Sequence, residues 1–164
     1  RCSRTRRRCC SKDRRCLAPL REGSRKGARN AKWAGAMTEN EIGRIVVAAS
    51  VQIHRYPGPG LIESVYETVL AHELRRRGLG VQRQVPIGIS YQGPRFDEGF
   101  RADVVVEHEV VLELKSVEKV DPAHKKQLLT YLRLSGMKPG LFLNFGGSLM
   151  KNGITRIVND FEGA

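Results

Sequence analysis

The spacing of apolar residues predicts two amphipathic helices at the start of a folded segment. In the first helix the apolar positions recur every three or four residues, at Ile42, Ile45, Val46, Ala49 and Ile53. Thr38 and Glu41 have the spacing of a capping box, and the Pro- and Gly-rich residues 56–60 end the helix. A second helix is predicted from about Leu61 to Arg77, with an apolar arc made of Leu61, Ile62, Val65, Tyr66, Val69 and Leu70.

The rest of the chain alternates between strand-like and helical patterns. Residues 81–91, and the two apolar runs on either side of residues 107–109, have the β-rich character of strands. Asp121 followed by Pro122 predicts the start of a third helix, which Gly136 ends. Short strands are predicted at residues 141–145 and 153–158. The order α, α, β, β, β, α, β, β predicts an α/β or α+β layer fold with a mostly antiparallel sheet.

The hairpin predicted around residues 107–109 carries the most informative polar residues. If these three residues form its loop, Asp103 lies directly opposite Glu113, and Lys115 shares their face. Two opposed carboxylates, about 5 Å apart at Cβ, repel each other unless a cation neutralises them. A divalent metal ion held by oxygen ligands would do so, and metal-assisted phosphodiester hydrolysis uses such groups.

A solvated hairpin with alternating charges is the simpler interpretation of the same residues. Against it, apolar residues occupy both faces of the two strands. One face carries Val104, Val106, Val110, Leu112 and Leu114, and the charged face also carries Val105 and Val111. Apolar residues on both faces indicate a strand pair that is buried on both sides, which favours the metal site.

The basic charge of the chain lies almost entirely in its first 36 residues. The 164-residue chain has a formal charge of +12, and residues 1–36 hold 13 Lys or Arg against 2 Asp or Glu. Residues 37–164 hold 16 against 15 and are nearly neutral. We therefore expect residues 1–36 to be a disordered basic extension that need not be native, and residues 37–164 to be the folded domain, with Met37 as its natural start.

Cysteine usage and hydropathy indicate the environment of the domain. All four cysteines lie in residues 1–36, and their spacing matches no zinc site. Because the domain contains none, a reducing cytoplasm is expected. No run of 18 or more apolar residues occurs, so no membrane span and no membrane partner are expected.

Several polar residues on the predicted helices could face the hairpin. Glu63 lies at the rim of the apolar arc of the second helix, although a solvated glutamate near a helix N-terminus is the simpler alternative. Gln127 and Tyr131 are four residues apart and share a face of the third helix. The alternatives there are an exposed glutamine and a tyrosine packed at the edge of the core. His124 shares that face and is interpreted as a surface residue rather than a ligand.

Four motifs, taken in order, resemble those of a known group of nucleases. Gly60-Leu-Ile-Glu63-Ser-Val-Tyr66 matches G-x-x-E-x-x-Y, the signature of the GxxExxY protein family. Glu63, Asp103, Glu113-Leu-Lys115 and Gln127-Leu-Leu-Thr-Tyr131 resemble the motifs of the PD-(D/E)XK nuclease superfamily. The Gln-x-x-x-Tyr helix is similar to that of its RecB-like exonuclease branch, and the similarity covers residues 38–160. One departure is that Arg101-Ala102 replaces the Pro before the first Asp.

The resemblance implies a restriction-endonuclease-like fold, with an αβββαβ core and a mixed central sheet flanked by helices. It implies that Mg²⁺ or Mn²⁺ binds to oxygen atoms of Asp103, Glu113 and the Leu114 carbonyl, with Glu63 completing the coordination. The metal would activate a water molecule and polarise the phosphoryl group. The cysteines lie outside the domain, so the iron–sulfur cluster of some relatives is not expected.

The same resemblance assigns roles to three further side chains. Lys115 would orient the attacking water and stabilise the developing charge. Gln127 and Tyr131 would position Lys115 or the nucleic-acid backbone. The expected function is therefore a metal-dependent nuclease that acts on nucleic acid, with DNA favoured over RNA.

Two other functions are compatible with the same residues. One is a non-catalytic module that binds nucleic acid or regulates a partner while keeping the nuclease fold. The other is a Mg²⁺-dependent hydrolase of small phosphoesters. The near-neutral domain favours these alternatives, because positive charge drives non-specific DNA binding. The intact set of Asp, Glu and Lys favours the enzyme.

Overall fold

The computed structural model describes residues 37–90 and 92–160, which form four helices and five strands. The helices are α1 (Glu39–Arg55), α2 (Glu63–Arg76), α3 (Pro122–Ser135) and α4 (Met150–Gly153). The strands are β1 (Val81–Ser90), β2 (Arg95–Val106), β3 (Val110–Lys115), β4 (Pro139–Asn144) and β5 (Ile154–Val158). Apart from the short α4, each element lies close to its predicted position, whereas the prediction for residues 1–36 lies outside the described residues. None of the helices in the described ranges is long and apolar enough to cross a membrane.

The five strands form one mixed sheet in the order β1-β2-β3-β4-β5. Three neighbouring pairs are antiparallel, and the pair β3–β4 is parallel. A parallel pair needs a crossover connection, and α3 provides it. The predicted α/β class, with a mostly antiparallel mixed sheet flanked by helices and an αβββαβ core, is confirmed.

Helices cover both faces of the central strands. On one face, α1 and α2 pack against alternate residues of the hairpin, namely Val104, Val106, Val110, Leu112 and Leu114. On the other face, α3 packs against the set formed by Val105, Val111 and Phe142. The two-sided burial predicted for the hairpin is confirmed, and the polar residues of its charged face therefore lie among apolar neighbours.

Two helix starts are capped as the sequence predicted. The Thr38 hydroxyl oxygen accepts a hydrogen bond from the Glu41 amide at 3.3 Å, and the Glu41 carboxylate accepts one from the Thr38 amide at 2.8 Å. The Asp121 carboxylate accepts a hydrogen bond from the Ala123 amide at 2.7 Å, with Pro122 as the first residue of α3. Caps of this kind contribute about 1 kcal/mol each and set where the helices begin.

The buried face of α2 differs from the predicted apolar arc. The prediction is wrong for Ile62, Val65 and Val69, which are 68%, 38% and 40% exposed. The buried residues of this helix are instead Tyr66, Glu67, Leu70, Ala71, Glu73 and Leu74. Two glutamates are thus buried on this helix, Glu67 against β1 and Glu73 beside the arginines at the end of the helix.

Arginine partners explain why these glutamates can be buried. Glu73 accepts hydrogen bonds from Arg76 at 2.9 Å and from Arg77 at 2.8 Å, and these bonds lower its pKa to about 2. Glu67 accepts a hydrogen bond from Arg83 of β1 at 2.7 Å. Buried carboxylates are tolerated when they are paired in this way. The pair of Glu67 with Arg83 sets the orientation of α2 about its own axis. Glu63, the first residue of the helix and one turn before Glu67, therefore faces the end of the sheet.

The segment after β3 is held against β4 by the side chain of Asn144. Its Nδ2 donates to the Val117 carbonyl at 2.9 Å, and its Oδ1 accepts from the amides of Val117 at 3.0 Å and Gly146 at 3.1 Å. A Cβ at Gly146 would lie 2.5 Å from the Val117 carbonyl oxygen. A Cβ at the neighbouring Gly147 would meet nothing within 4 Å. Close backbone packing therefore requires glycine at the first position only.

We predict that Gly146→Ala destabilises the protein while Gly147→Ala does not. Overpacking a tight contact costs about 1–3 kcal/mol, and here the crowded atoms belong to the backbone and cannot swing away. The free energy of unfolding of both full-length variants, from chemical denaturation, tests this. Equal stability of the two variants would contradict the tight packing at Gly146.

Candidate active site

The candidate site lies where the β2–β3 hairpin stops pairing. Residues 107–109 form the turn, and Val104 pairs with Leu112, as the sequence predicted. This register would next bring Asp103 opposite Glu113, but the ladder ends one step earlier. The Asp103 carboxylate instead accepts a hydrogen bond from the backbone amide of Leu114 at 2.8 Å. The aspartate thus replaces a backbone pairing partner and is fixed at the edge of β3.

Asp103 is also left out of the ladder on its other side. The register of β1 and β2 pairs Arg83 with Val104 and Val85 with Ala102, which implies a pair between Gln84 and Asp103 that does not form. Gln84 has a positive φ of 51°. Such a conformation costs a residue other than glycine on the order of 1 kcal/mol. The sheet therefore has a notch at Asp103, meaning that the backbone ladder is interrupted on both sides of this residue.

Glu113 is the most deeply buried acidic group of the site. Its side chain is 2% exposed, and its Oε1 accepts a hydrogen bond from Lys115 Nζ at 2.7 Å. Its Oε2 is buried and has no hydrogen-bond partner. Burial raises the pKa of Glu113 to about 7, and the negative charge of Asp103 adds to this effect, while Lys115 only partly offsets it.

Burial and the neighbouring charges also shift the pKa values of Asp103 and Lys115. Burial raises the pKa of Asp103, although the hydrogen bond from Leu114 and the charge of Lys115 act in the opposite direction. Burial alone would lower the pKa of Lys115, but the hydrogen bond and charge of Glu113, with the charge of Asp103, outweigh it and raise that pKa. Lys115 is therefore positively charged at neutral pH and neutralises part of the acidic cluster.

Glu63 reaches the same place from the first turn of α2. Its Oε1 accepts a hydrogen bond from the Ser116 amide at 3.2 Å, and its Oε2 lies 4.0 Å from Lys115 Nζ. The Ser116 hydroxyl donates to the Leu61 carbonyl at 2.7 Å, which ties the start of α2 to the end of β3. The structure thus brings Glu63 together with the hairpin carboxylates, although about half of its side chain is exposed.

The glycine and the tyrosine of the G-x-x-E-x-x-Y motif hold this glutamate in place. Gly60 has a φ of 113°, which L side chains rarely adopt. The Tyr66 hydroxyl donates to the Gly58 carbonyl at 2.5 Å and accepts a hydrogen bond from the Leu61 amide at 3.4 Å. The Tyr66 ring stacks on Phe145 with centroids 4.3 Å apart. The motif therefore fixes the turn that aims the first residue of α2 at the site.

Gln127 and Tyr131 lie on the α3 side of the cluster. The Gln127 side chain donates to the Tyr131 hydroxyl at 2.6 Å, and the Tyr131 ring packs against Phe100 with centroids 5.2 Å apart. Burial raises the pKa of Tyr131, and the negative charge of Glu113 adds to the effect. Among the described contacts neither side chain bonds to Lys115, so the expected positioning of Lys115 rests on no direct hydrogen bond.

His124 shares this face of α3 and is less exposed than predicted. Its ring stacks on Phe142 with centroids 6.2 Å apart, and Phe142 is the neighbour of Glu113 in the parallel ladder. Its Nδ1 is buried without a hydrogen-bond partner. The aromatic contact explains why a histidine in the first turn of a helix is half-buried.

The sequence did not point to three residues beside the site, namely Glu67, Arg83 and Gln84. Glu67 is buried and accepts hydrogen bonds from Arg83 Nε and Gln84 Nε2, each at 2.7 Å. Its charge contributes to the raised pKa of Asp103. The available signal was the spacing of Glu67, four residues after Glu63 and so on the same helix face.

The chemistry of the cluster suits a hard divalent cation, although its side chains do not converge on one point. Within residues 37–90 and 92–160, no three Asp, Glu, His or Cys side chains are grouped so that they could hold a metal ion. A buried carboxylate oxygen without a partner, as in Glu113, calls for a proton or a cation. Asp103 supplies a second oxygen donor of the type that Mg²⁺ and Mn²⁺ prefer.

Comparison with known proteins gives one match. A profile of the PD-(D/E)XK nuclease superfamily matches residues 40–157, well over half of the 164-residue chain. Comparison with the curated proteins found no match, and comparison with the solved structures found none either. The matched range runs from α1 to β5 and contains every residue of the site described above. The five-stranded mixed sheet agrees with this match, and the chain belongs to the PD-(D/E)XK nuclease superfamily.

Proposed function

We propose that this protein is a Mg²⁺- or Mn²⁺-dependent nuclease of the GxxExxY type that hydrolyses phosphodiester bonds in DNA. The observation that carries the proposal is Glu113, a buried carboxylate with one unpartnered oxygen, placed next to a second carboxylate and a lysine. A structural role alone does not account for like charges kept together in a low-dielectric site. Perturbed acidic groups of this kind are typical of catalytic centres.

Asp103, Glu113 and the Leu114 carbonyl would hold the metal ion, and Glu63 would bind it directly or through water. The Leu114 amide bonds to Asp103, and a residue in a strand directs its amide and carbonyl to the same edge. The Leu114 carbonyl therefore shares the edge at which β2 has stopped pairing. When bound, the ion would make a water molecule more acidic and polarise the phosphoryl group.

The residues of the chain would supply orientation and charge. Lys115 carries a positive charge beside Glu113 and would donate hydrogen bonds to the attacking water and to the phosphoryl oxygens as their charge grows. Gln127 and Tyr131, already bonded to each other, would contact the substrate backbone at the α3 side of the site. Burial of the cluster strengthens each of these interactions relative to water.

A non-catalytic binding module and a small-phosphoester hydrolase are the competing functions. The nearly neutral charge of residues 37–164 favours them, since non-specific binding to nucleic acid depends on positive charge. Incubating the full chain with labelled single- and double-stranded DNA and RNA, and with bis-p-nitrophenyl phosphate, separates the three. Cleavage of DNA that depends on Mg²⁺ or Mn²⁺ and stops with EDTA is the expected result. Tight binding without cleavage of any substrate would instead favour the module.

The first prediction of the proposed function concerns metal binding. Mg²⁺ or Mn²⁺ at about 100 times its Kd is expected to stabilise the wild type by about 2.7 kcal/mol, because it binds only the folded state. Asp103→Asn keeps an oxygen for the Leu114 amide and should fold, but it should lose this response. Glu109→Gln removes an exposed carboxylate at the hairpin turn and should behave like the wild type. Thermal melts and calorimetry measure both effects. Absence of ion binding to the wild type would contradict the metal site.

The second prediction concerns pH in the absence of metal. Glu113 has a pKa of about 7 when folded against 4.5 ordinarily, so between these values only the folded state keeps the proton. Its stabilising effect is complete below pH 4.5 and is lost as the pH rises through 7, a decrease on the order of 3 kcal/mol. Asp103 acts in the same direction. Denaturation at several pH values in EDTA should therefore show a smaller decrease for Glu113→Gln. An identical pH dependence in both proteins would refute the raised pKa.

The third prediction separates transition-state stabilisation from binding. Lys115→Ala is expected to lower kcat by about 10²-fold or more, with little change in KM and with metal binding retained. Glu113→Gln should lose metal binding and activity together. Gln127→Ala and Tyr131→Phe should each lower kcat/KM by about 10-fold, because these side chains would position the substrate. Steady-state kinetics on a DNA substrate, with calorimetry for the metal, test this series. Wild-type turnover in Lys115→Ala would remove that residue from the mechanism.

A further inference from the structure

A second polar cluster adjoins the candidate site and has no role in the proposed chemistry. At its centre is Glu67, which is 5% exposed and lies one helical turn after Glu63. Both of its carboxylate oxygens are occupied, Oε1 by Arg83 Nε and Oε2 by Gln84 Nε2, each at 2.7 Å. The buried Glu67 carboxylate therefore fixes the positions of two side chains of β1.

The backbone of β1 is distorted in a way that makes this arrangement possible. Consecutive residues of a regular strand point to opposite faces, so Arg83 and Gln84 would not normally reach the same carboxylate. Gln84 has a φ of 51°, in the left-handed region, and its pairing with Asp103 is lost. A strained residue persists only where its surroundings hold it, and such residues cluster at ligand-binding and active sites.

The guanidinium of Arg83 is only partly used by this contact. Its Nε donates to Glu67, and the two Nη groups make no hydrogen bond within the part of the chain that the structure describes. The Arg83 side chain is 34% exposed, so these groups are accessible to solvent. A guanidinium held at one edge by a buried carboxylate presents its other edge as a preformed fork, which suits a phosphate group.

The position of Arg83 places this fork next to the candidate catalytic centre. Arg83 pairs with Val104, so its side chain lies on the face of the sheet that packs against α2, the helix that also carries Glu63. Gln84, which bonds to Glu67, lies at the ladder position opposite Asp103, and the charge of Glu67 contributes to the raised pKa of Asp103. The fork is nevertheless distinct from the catalytic groups, since Arg83 contacts neither Lys115 nor the hairpin carboxylates among the described hydrogen bonds and ion pairs.

We propose that Arg83, oriented by Glu67 and Gln84, binds a phosphate of the nucleic-acid strand next to the one that is cleaved. This inference rests on the proposed nuclease function and deepens it, because a site with a flanking phosphate contact selects a polynucleotide over a small phosphodiester. It also compensates for the low net charge of the domain, since a single well-placed cation can position a strand that bulk charge does not attract.

The test compares a DNA oligonucleotide with bis-p-nitrophenyl phosphate, which has one phosphodiester and no flanking phosphate. In the full-length protein, Arg83→Ala is expected to raise KM for the oligonucleotide by about 10-fold or more, with kcat nearly unchanged. The slope of log KM against log salt should fall by about 1, because one phosphate contact is lost. Hydrolysis of the small diester should be unaffected. Arg83→Lys keeps the positive charge without the fork, so its KM for the oligonucleotide should lie between those of the wild type and Arg83→Ala.

Two further variants separate phosphate binding from a structural role. Arg83→Ala leaves the buried Glu67 carboxylate without its cationic partner and could fail to fold, so the double variant Arg83→Ala/Glu67→Gln removes that charge as well. It should be folded and still show the reduced salt slope. Arg76→Ala is the matched control, because it removes an arginine from another carboxylate pair of α2, with 63% of its side chain exposed. It should leave KM and the salt slope unchanged.

Binding measured without turnover tests the phosphate contact separately from the nuclease activity. Fluorescence anisotropy with the same oligonucleotide in EDTA should give weaker binding and a lower salt slope for the double variant than for the wild type. That result with no hydrolysis by the wild type would overturn the nuclease while supporting the phosphate contact. Equal affinity and equal salt slope in the folded double variant would overturn the contact, whether or not the protein cleaves DNA.

Discussion

Burial of the Glu113 carboxylate is the constraint on which the rest of the site depends. The strand that carries this side chain lies between two apolar layers, so an uncompensated charge on it is costly, and one of its oxygens has no hydrogen-bond partner. The positive charge of Lys115 offsets part of the negative charge of Glu113, while the negative charge of Asp103 repels it. The negative charge of such a centre is balanced only when it binds a proton or a cation. A cation can therefore take the place of the proton.

The surrounding fold supplies the positions that this centre requires. The hairpin fixes the register of β2 and β3, and the notch at Gln84 and Asp103 stops the pairing at the place where polar groups must be reachable. The Tyr66 hydroxyl fastens the turn before α2 and so directs Glu63. Each of these devices interrupts regular structure at the end of the sheet, whereas the apolar clusters hold its middle.

The fold could be predicted largely from local patterns, but the orientation of α2 could not. Caps, turns and apolar spacing are local, so the helix beginning after Thr38 and the register of the β2–β3 hairpin followed from the sequence. Val69 is exposed and Glu67 is buried. The buried position of Glu67 is matched by its pairing with Arg83, which lies on another element and which no spacing rule reveals. The positive φ of Gln84 likewise arises from tertiary contacts, because nothing in its sequence neighbours calls for it.

The parallel pairing of β3 with β4 has a consequence for when the site comes into existence during folding. Antiparallel hairpins close quickly, but a parallel pair forms only after its crossover helix has been placed. The Lys115 carbonyl is bonded to the Phe145 amide, and Asn144 clamps the segment that follows β3. All four central ionisable groups are present in the chain by residue 115, yet their arrangement is completed by β4. A nascent chain that ended before α3 would carry the acidic residues without the centre they form.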